Sequence, residues 1–143
     1  MKSYIEFITK NINDDKFYHG TGEVEKVKES LKNNTFKPFV SAGVIMGIFV
    51  TPDKKLATNY SNESKGSDKG VITFTLNRPV KLKYFKSAEE LYEYECSFDK
   101  FNMNNSTTLF KEQLLSEDYD GYQSGDTVIL IFQEKMEILT ILS

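Results

Sequence analysis

Tryptophan is absent from this chain, cysteine and histidine occur once each, and there are only three prolines. The single Cys96 has no partner for an internal disulfide, and one histidine leaves no credible set of zinc ligands. Both scarcities point to a reducing, cytoplasmic setting and to no metal. No stretch reaches the roughly eighteen consecutive apolar residues of a membrane span, and the N-terminus, Met1 to Glu6, lacks the apolar run of a secretory signal. Positive charge is not in excess. A net charge of −3 argues against broad binding to nucleic acid, which depends on dense lysine and arginine. Lys26, Lys28, Lys32 and Lys37 form one loose cluster, and Lys81, Lys83 and Lys86 another; each reads as a solvated face. Also missing are a Gly-x-Gly-x-x-Gly turn and a phosphate-cradling Gly-Lys-Ser/Thr loop.

What is present suits one globular domain, residues 1–143: 39% of the chain is hydrophobic and 13% aromatic, enough to bury a core without covalent staples. Residues 33–35, 61–70 and 102–106 are polar, turn-rich loops. Between them the periods change. Lys16 to His19 reads as a short strand ending at Gly20, and Val24, Val27 and Leu31 share one face of a helix from about Glu23 to Asn33. Ile48 to Val50 is a short strand, after which Thr51 as N-cap and Pro52 at the first helical position start a helix carrying Leu56, Ala57 and Tyr60. Val71 to Leu76 alternates as a strand, with Val80 to Tyr84 expected to pair with it across Asn77-Arg78-Pro79. Ser87 with Glu90 forms a capping box for a helix through Tyr94, and a further helix carries Leu109, Phe110, Leu114 and Leu115. Val128 to Phe132 is apolar on both faces, hence a central strand, and Met136 to Leu142 follows it after a turn. Strands and helices mix without strict alternation, which predicts an α+β fold with largely antiparallel pairing.

His19 closes the run Phe17-Tyr18-His19 and is followed by Gly20 and Thr21. A lone histidine there is ordinarily a strand-end residue whose ring meets backbone, but the glycine beside it lets another molecule approach the main chain. Thirty residues later, Gly47-Ile48-Phe49-Val50-Thr51 sets an aromatic on a strand, and Tyr60 follows Phe49 by eleven positions on the next helix. Two aromatic faces held apart by a turn make a slot for a flat, positively charged heteroaromatic ring. A nucleophilic pairing of Cys96 with His19 is rejected, because Glu93 and Glu95 would raise the thiol pKa.

This order and spacing resemble the nicotinamide-binding cleft of the ADP-ribosyltransferases, in the branch related to diphtheria toxin and the poly-ADP-ribose polymerases. The resemblance covers roughly Phe17 to Leu142 and implies a split β-sandwich of two small antiparallel sheets, with NAD as co-substrate. It implies that His19 bonds the adenosine-side ribose, that the Gly20 main chain pairs with the nicotinamide carboxamide, with Thr21 completing the motif, and that Phe49 and Tyr60 stack on the ring. Phe49 stands where tyrosine is usual in this branch. Cleaving the nicotinamide–ribose bond develops an oxocarbenium-like centre that a carboxylate stabilises. The family's acid opens the penultimate strand, a position that falls here on Val128. Asp126 lies two residues earlier, and a bulge would bring it into place. Gln123 and Glu134 are the other candidates, so the implied catalytic set is His19, Tyr60 and Asp126. With a hydrophobic residue at the acid position, the implied activity is mono-ADP-ribosyl transfer to a macromolecule, a protein in preference to nucleic acid. Compact members of this kind look like bacterial or phage-borne effectors and toxins that act in a host cytoplasm. The alternative is a catalytically inactive relative that binds NAD, ADP-ribose or a partner.

Overall fold

The computed structural model describes residues 8–10, 16–98 and 105–142. The expectations for Met1 to Glu6, and for most of the polar loop at 102–106, lie outside the described residues. The chain runs β1 (Ile8–Lys10), β2 (Lys16–Thr21), α1 (Val24–Lys32), β3 (Phe39–Ser41), β4 (Val44–Val50), α2 (Lys54–Glu63), β5 (Gly70–Leu76), β6 (Val80–Phe85), α3 (Ala88–Cys96), α4 (Ser106–Ser116), β7 (Gly121–Ser124), β8 (Val128–Phe132), a 3-10 helix (Gln133–Ile138) and β9 (Leu139–Ile141). It is an α+β fold with two sheets, one of six strands in the order β1-β6-β7-β8-β4-β3 and one of three in the order β2-β5-β9. Pairing is antiparallel except for β6 with β7, which run parallel. Pairing is thus largely antiparallel, as expected, but of the two small antiparallel sheets that the resemblance implied one is larger and contains a parallel pair.

Helix starts follow local chemistry. Ser87 Oγ accepts the Glu90 N–H at 3.2 Å and caps α3, as the sequence predicts. The cap of α2 falls two residues later than expected, on Asp53, whose carboxylate accepts from Lys55 N and Leu56 N. Thr51 is occupied elsewhere. Its main chain bonds Tyr18 and its hydroxyl accepts the Asp53 N–H at 3.1 Å. The N-terminus of α1 is closed by a distant residue, Asp68, which takes the N–H groups of Val24 and Glu25 at 2.9 Å each. Between β3 and β4, Ala42 and Gly43 both have positive φ, 50° and 78°, the two-residue turn that matches strand twist.

Two strand expectations fail. Val80 to Tyr84 does not pair with β5; β6 lies between β1 and β7 in the other sheet. The cause is Asp120, almost wholly buried, which accepts from both guanidinium nitrogens of Arg78 at 3.0 Å and from Lys81 N at 2.8 Å. These bonds pull the chain after β5 across to the start of β7. Met136 to Leu142 is not one strand either: the turn at Gln133 winds on as the 3-10 helix, which buries Ile138, and only Leu139–Ile141 pairs with β5.

The core has two lobes. Phe17, Ile72 and Phe74 of the small sheet meet Ile48, Leu82, Ile129 and Ile131 of the large one. On the opposite face of the large sheet, Leu130 and Phe132 meet an aromatic cluster of Phe85, Tyr94, Phe110, Tyr119 and Tyr122 under α3 and α4. β8 contributes to both lobes, as a central strand must. Among the described residues, no helix is long and apolar enough to cross a membrane. Arg78→Ala leaves the buried Asp120 carboxylate with only the Lys81 N–H and the more distant Lys135 ammonium, and lowers stability by about 1–3 kcal/mol in urea unfolding; an unchanged midpoint contradicts the role given to this pair.

Candidate functional site

Among the described residues, main-chain hydrogen bonds join the two sheets at one antiparallel bridge, where Tyr18 N donates to Thr51 O at 2.8 Å and Thr51 N to Tyr18 O at 3.0 Å. Beyond it β2 and β4 diverge, and a cleft of about 400 Å³ opens in the wedge. His19, Gly20, Phe49 and Tyr60 all line it, so the structure brings together residues from three separate segments of the chain. Tyr18, Ser64, Thr127 and Val128 line it as well. Sequence reasoning gave Tyr18, Ser64 and Thr127 no role. Ser64 was discoverable, since it follows Tyr60 by one helical turn and its hydroxyl donates to Tyr60 O at 2.7 Å.

Tyr18 points its main-chain groups at Thr51 and away from β5. Main-chain direction in a strand repeats every second residue, so Gly20 turns its N–H and C=O to the same open side. Among the described residues, none bonds to Gly20 there. The missing side chain of Gly20 has a separate cause: an added Cβ would lie 2.0 Å from Ala57 O, because α2 crosses β2 at this point. Gly20 therefore serves close packing, and its free edge is a consequence of the diverging sheets.

His19 Nδ1 lies 2.7 Å from Phe49 O. A carbonyl only accepts, so Nδ1 carries the proton and Nε2 is left as an acceptor. Burial lowers the His19 pKa from its ordinary value, a shift partly offset by the bond to Phe49. The imidazole is therefore neutral at physiological pH. Phe49 is half-buried, and Tyr60, at 55% exposure, has room to close on a ligand.

The remaining predicted residues fall elsewhere. Thr21 turns out of the cleft and accepts the Glu23 N–H at 3.1 Å; it lines a neighbouring groove of about 520 Å³ with Lys26, Ser30, Phe36 and Lys37. Asp126 is exposed in the turn between β7 and β8, where Gly125 at φ 66° closes the reversal and Ser124 pairs directly with Val128. No bulge carries Asp126 into the strand, and it does not line the cleft, although its neighbour Thr127 does. Gln123 is buried in β7, and its side-chain oxygen has no partner among the described residues. Glu134 accepts from Lys111 Nζ at 2.9 Å, outside the cleft. Val128, on which the acid position of the resemblance was expected to fall, lines the cleft.

The cleft thus offers two aromatic faces, a strand edge with one donor and one acceptor, a neutral imidazole acceptor and several hydroxyls. Among the described residues, no carboxylate lines it. Such a site can hold a flat ring between apolar faces and meet polar groups at its edge.

Two outcomes follow. Because the folded chain resists protonation of His19, its stabilising contribution is complete above about pH 6.5 and declines as pH falls below that value, where the unfolded chain takes up the proton. Thermal midpoints of wild type and His19→Gln, compared from pH 8 to 5, are expected to show a steeper acid loss in the wild type. Parallel profiles contradict a neutral, buried His19. Gly20→Ala forces α2 away from β2 and costs about 1–3 kcal/mol in urea unfolding; an unchanged midpoint contradicts the close approach. The chain matches no known family model, no curated protein and no solved structure.

Proposed function

We propose that the cleft binds NAD by its nicotinamide-ribose end and that the protein is a mono-ADP-ribosyltransferase of the split-sandwich type. The observation that carries this reading is the convergence of His19, Gly20, Phe49 and Tyr60 on one cleft. In this arrangement the nicotinamide ring lies between Phe49 and Tyr60, where its positive charge gains cation–π attraction. The carboxamide pairs with the free N–H and C=O of Gly20. His19 Nε2 accepts from a ribose hydroxyl, and the adenosine end runs past Thr21 toward the groove that contains Lys26 and Lys37.

When the bond from ribose C1′ to the nicotinamide nitrogen breaks, its electron pair leaves with the ring, which becomes neutral, and positive charge develops at C1′. The protein contributes by holding the two halves in line and by excluding water from one side of the ribose. An acceptor group of a target protein then forms the new bond to C1′ and gives up its proton to solvent, and neutral nicotinamide departs.

The second reading, an inactive protein that binds NAD or ADP-ribose by occupancy, is favoured by one specific observation: no carboxylate lines the cleft among the described residues. A placed carboxylate is worth about 10²–10³ in rate, so slow transfer is the expectation for the wild type. The two readings separate in one assay. Incubation with labelled NAD in bacterial lysate should release nicotinamide and leave label in the protein fraction. Intact NAD binding with no release of nicotinamide in any of several lysates selects the inactive protein, and release without labelled macromolecule means hydrolysis.

Tyr60→Ala should weaken NAD binding by about 1–3 kcal/mol in calorimetry, the usual cost of one stacking contact; equal affinity removes Tyr60 from the site. Asp126→Ala should leave nicotinamide release nearly unchanged, whereas Val128→Glu, which places an acid in the cleft, should raise it by about 10²-fold. A loss of more than about tenfold in Asp126→Ala would return the acid role to Asp126.

A further inference from the structure

Phe49 holds two parts of the cleft together. Its carbonyl fixes the proton of His19, and its ring forms one wall. On one side that ring packs on the aromatic cluster above the large sheet. Elsewhere it has a single ring contact among the described residues, Phe39, at 4.7 Å between centroids and tilted by 57°. Phe39 is 41% exposed, a large apolar side chain at the edge of the sheet. Its cross-strand partner is Gly47, which has no side chain to meet it. The ring of Phe39 therefore lies diagonally on Phe49, two residues further along β4.

The hairpin that carries Phe39 is braced near its turn. The turn at Ala42 and Gly43 reverses the chain, the register shifts between Val40 and Phe39, and the buried ammonium of Lys111 donates to the carbonyl of Ile45 and to Glu134. Nothing in this bracing concerns core burial of Phe39 itself. At its open end the exposed ring of Phe39 rests on the ring of Phe49.

We infer that Phe39 is a positioning residue for the cleft, holding the Phe49 ring in the plane in which a flat heteroaromatic ring can stack. The inference rests on the reading of the cleft as a nicotinamide site. It adds a residue outside the cleft lining and predicts an effect on the ring wall without an effect on His19, since the bond to His19 comes from the Phe49 main chain. Val40 supplies the internal control: it neighbours Phe39 in β3, is 50% exposed, pairs with Ile45 in place of Gly47, and does not line the cleft.

The test is calorimetric titration of nicotinamide, and separately of NAD, into wild type, Phe39→Ala, Phe39→Tyr and Val40→Ala, with the unfolding midpoint of each measured in parallel. Phe39→Ala should bind nicotinamide about three- to tenfold more weakly, the scale of one aromatic pair, while Phe39→Tyr and Val40→Ala bind as the wild type does. The acid limb of the stability profile set by His19 should stay in place in Phe39→Ala. A second measurement does not depend on the alanine variant folding. Phe39→Trp introduces the only tryptophan of the chain, and its emission should change as nicotinamide saturates the cleft. Wild-type affinity in Phe39→Ala, or unchanged indole emission of Phe39→Trp at saturation, overturns the inference and leaves the cleft reading intact. Absence of nicotinamide and NAD binding in the wild type overturns the cleft reading, and the inference with it.

Discussion

The two main-chain bonds between Tyr18 and Thr51 are the constraint from which the site follows. They join a three-stranded and a six-stranded sheet at a single residue pair, and among the described residues no second pair continues the ladder. Past that point the strands must separate, because α2 is wedged over Gly20 and β4 stays paired to β8. Divergence leaves unpaired main chain at Gly20 and an open flank along Phe49. An unpaired strand edge beside apolar walls is costly in water unless a ligand or solvent satisfies it. The histidine ring partly closes the gap by reaching from one sheet to the carbonyl of the other, and burial keeps it neutral there. Cleft, free edge and imidazole acceptor thus share one geometric origin.

The wedge holds its shape because the chain is locked where it crosses between sheets. Arg78 sits at the crossover from β5 to β6, and Asp120 at the start of β7; their paired bonds, with Lys81 N, set the parallel neighbours β6 and β7. Asn77, one residue before, ties the end of β5 to the 3-10 helix through Glu137 O and Ile138 O. The carboxylate in Asp118-Tyr119-Asp120-Gly121-Tyr122 that is buried, Asp120, is therefore structural. Its burial and its hydrogen-bond partners leave it no access to the cleft.

Much of this was legible in the sequence, and the reasons are local. Amphipathic spacing gave α1, and Ser87 gave the start of α3, because those signals depend on neighbours along the chain. The apolar run from Val128 to Phe132 marked a central strand because both of its faces are buried. The convergence of His19, Gly20, Phe49 and Tyr60 on one cleft was expected from the resemblance that their order and spacing carry. Three features were not. The partner of β6 is decided by a charge pair 42 residues apart, Arg78 with Asp120, which no strand periodicity encodes. The cap of α2 shifted to Asp53 because Thr51 was claimed by Tyr18, a tertiary bond. Asp126 looked near a strand in sequence, yet Gly125 places it in a reversal, so its side chain stays in solvent. In each case a long-range contact or a positive φ overrode a local pattern.

The most direct measurement is a crystal structure of the protein with nicotinamide bound. The account predicts the ring between Phe49 and Tyr60, the carboxamide on the N–H and C=O of Gly20, and the bond from His19 to Phe49 preserved. Nicotinamide seated away from these residues, or a cleft that stays empty at saturating ligand, contradicts it.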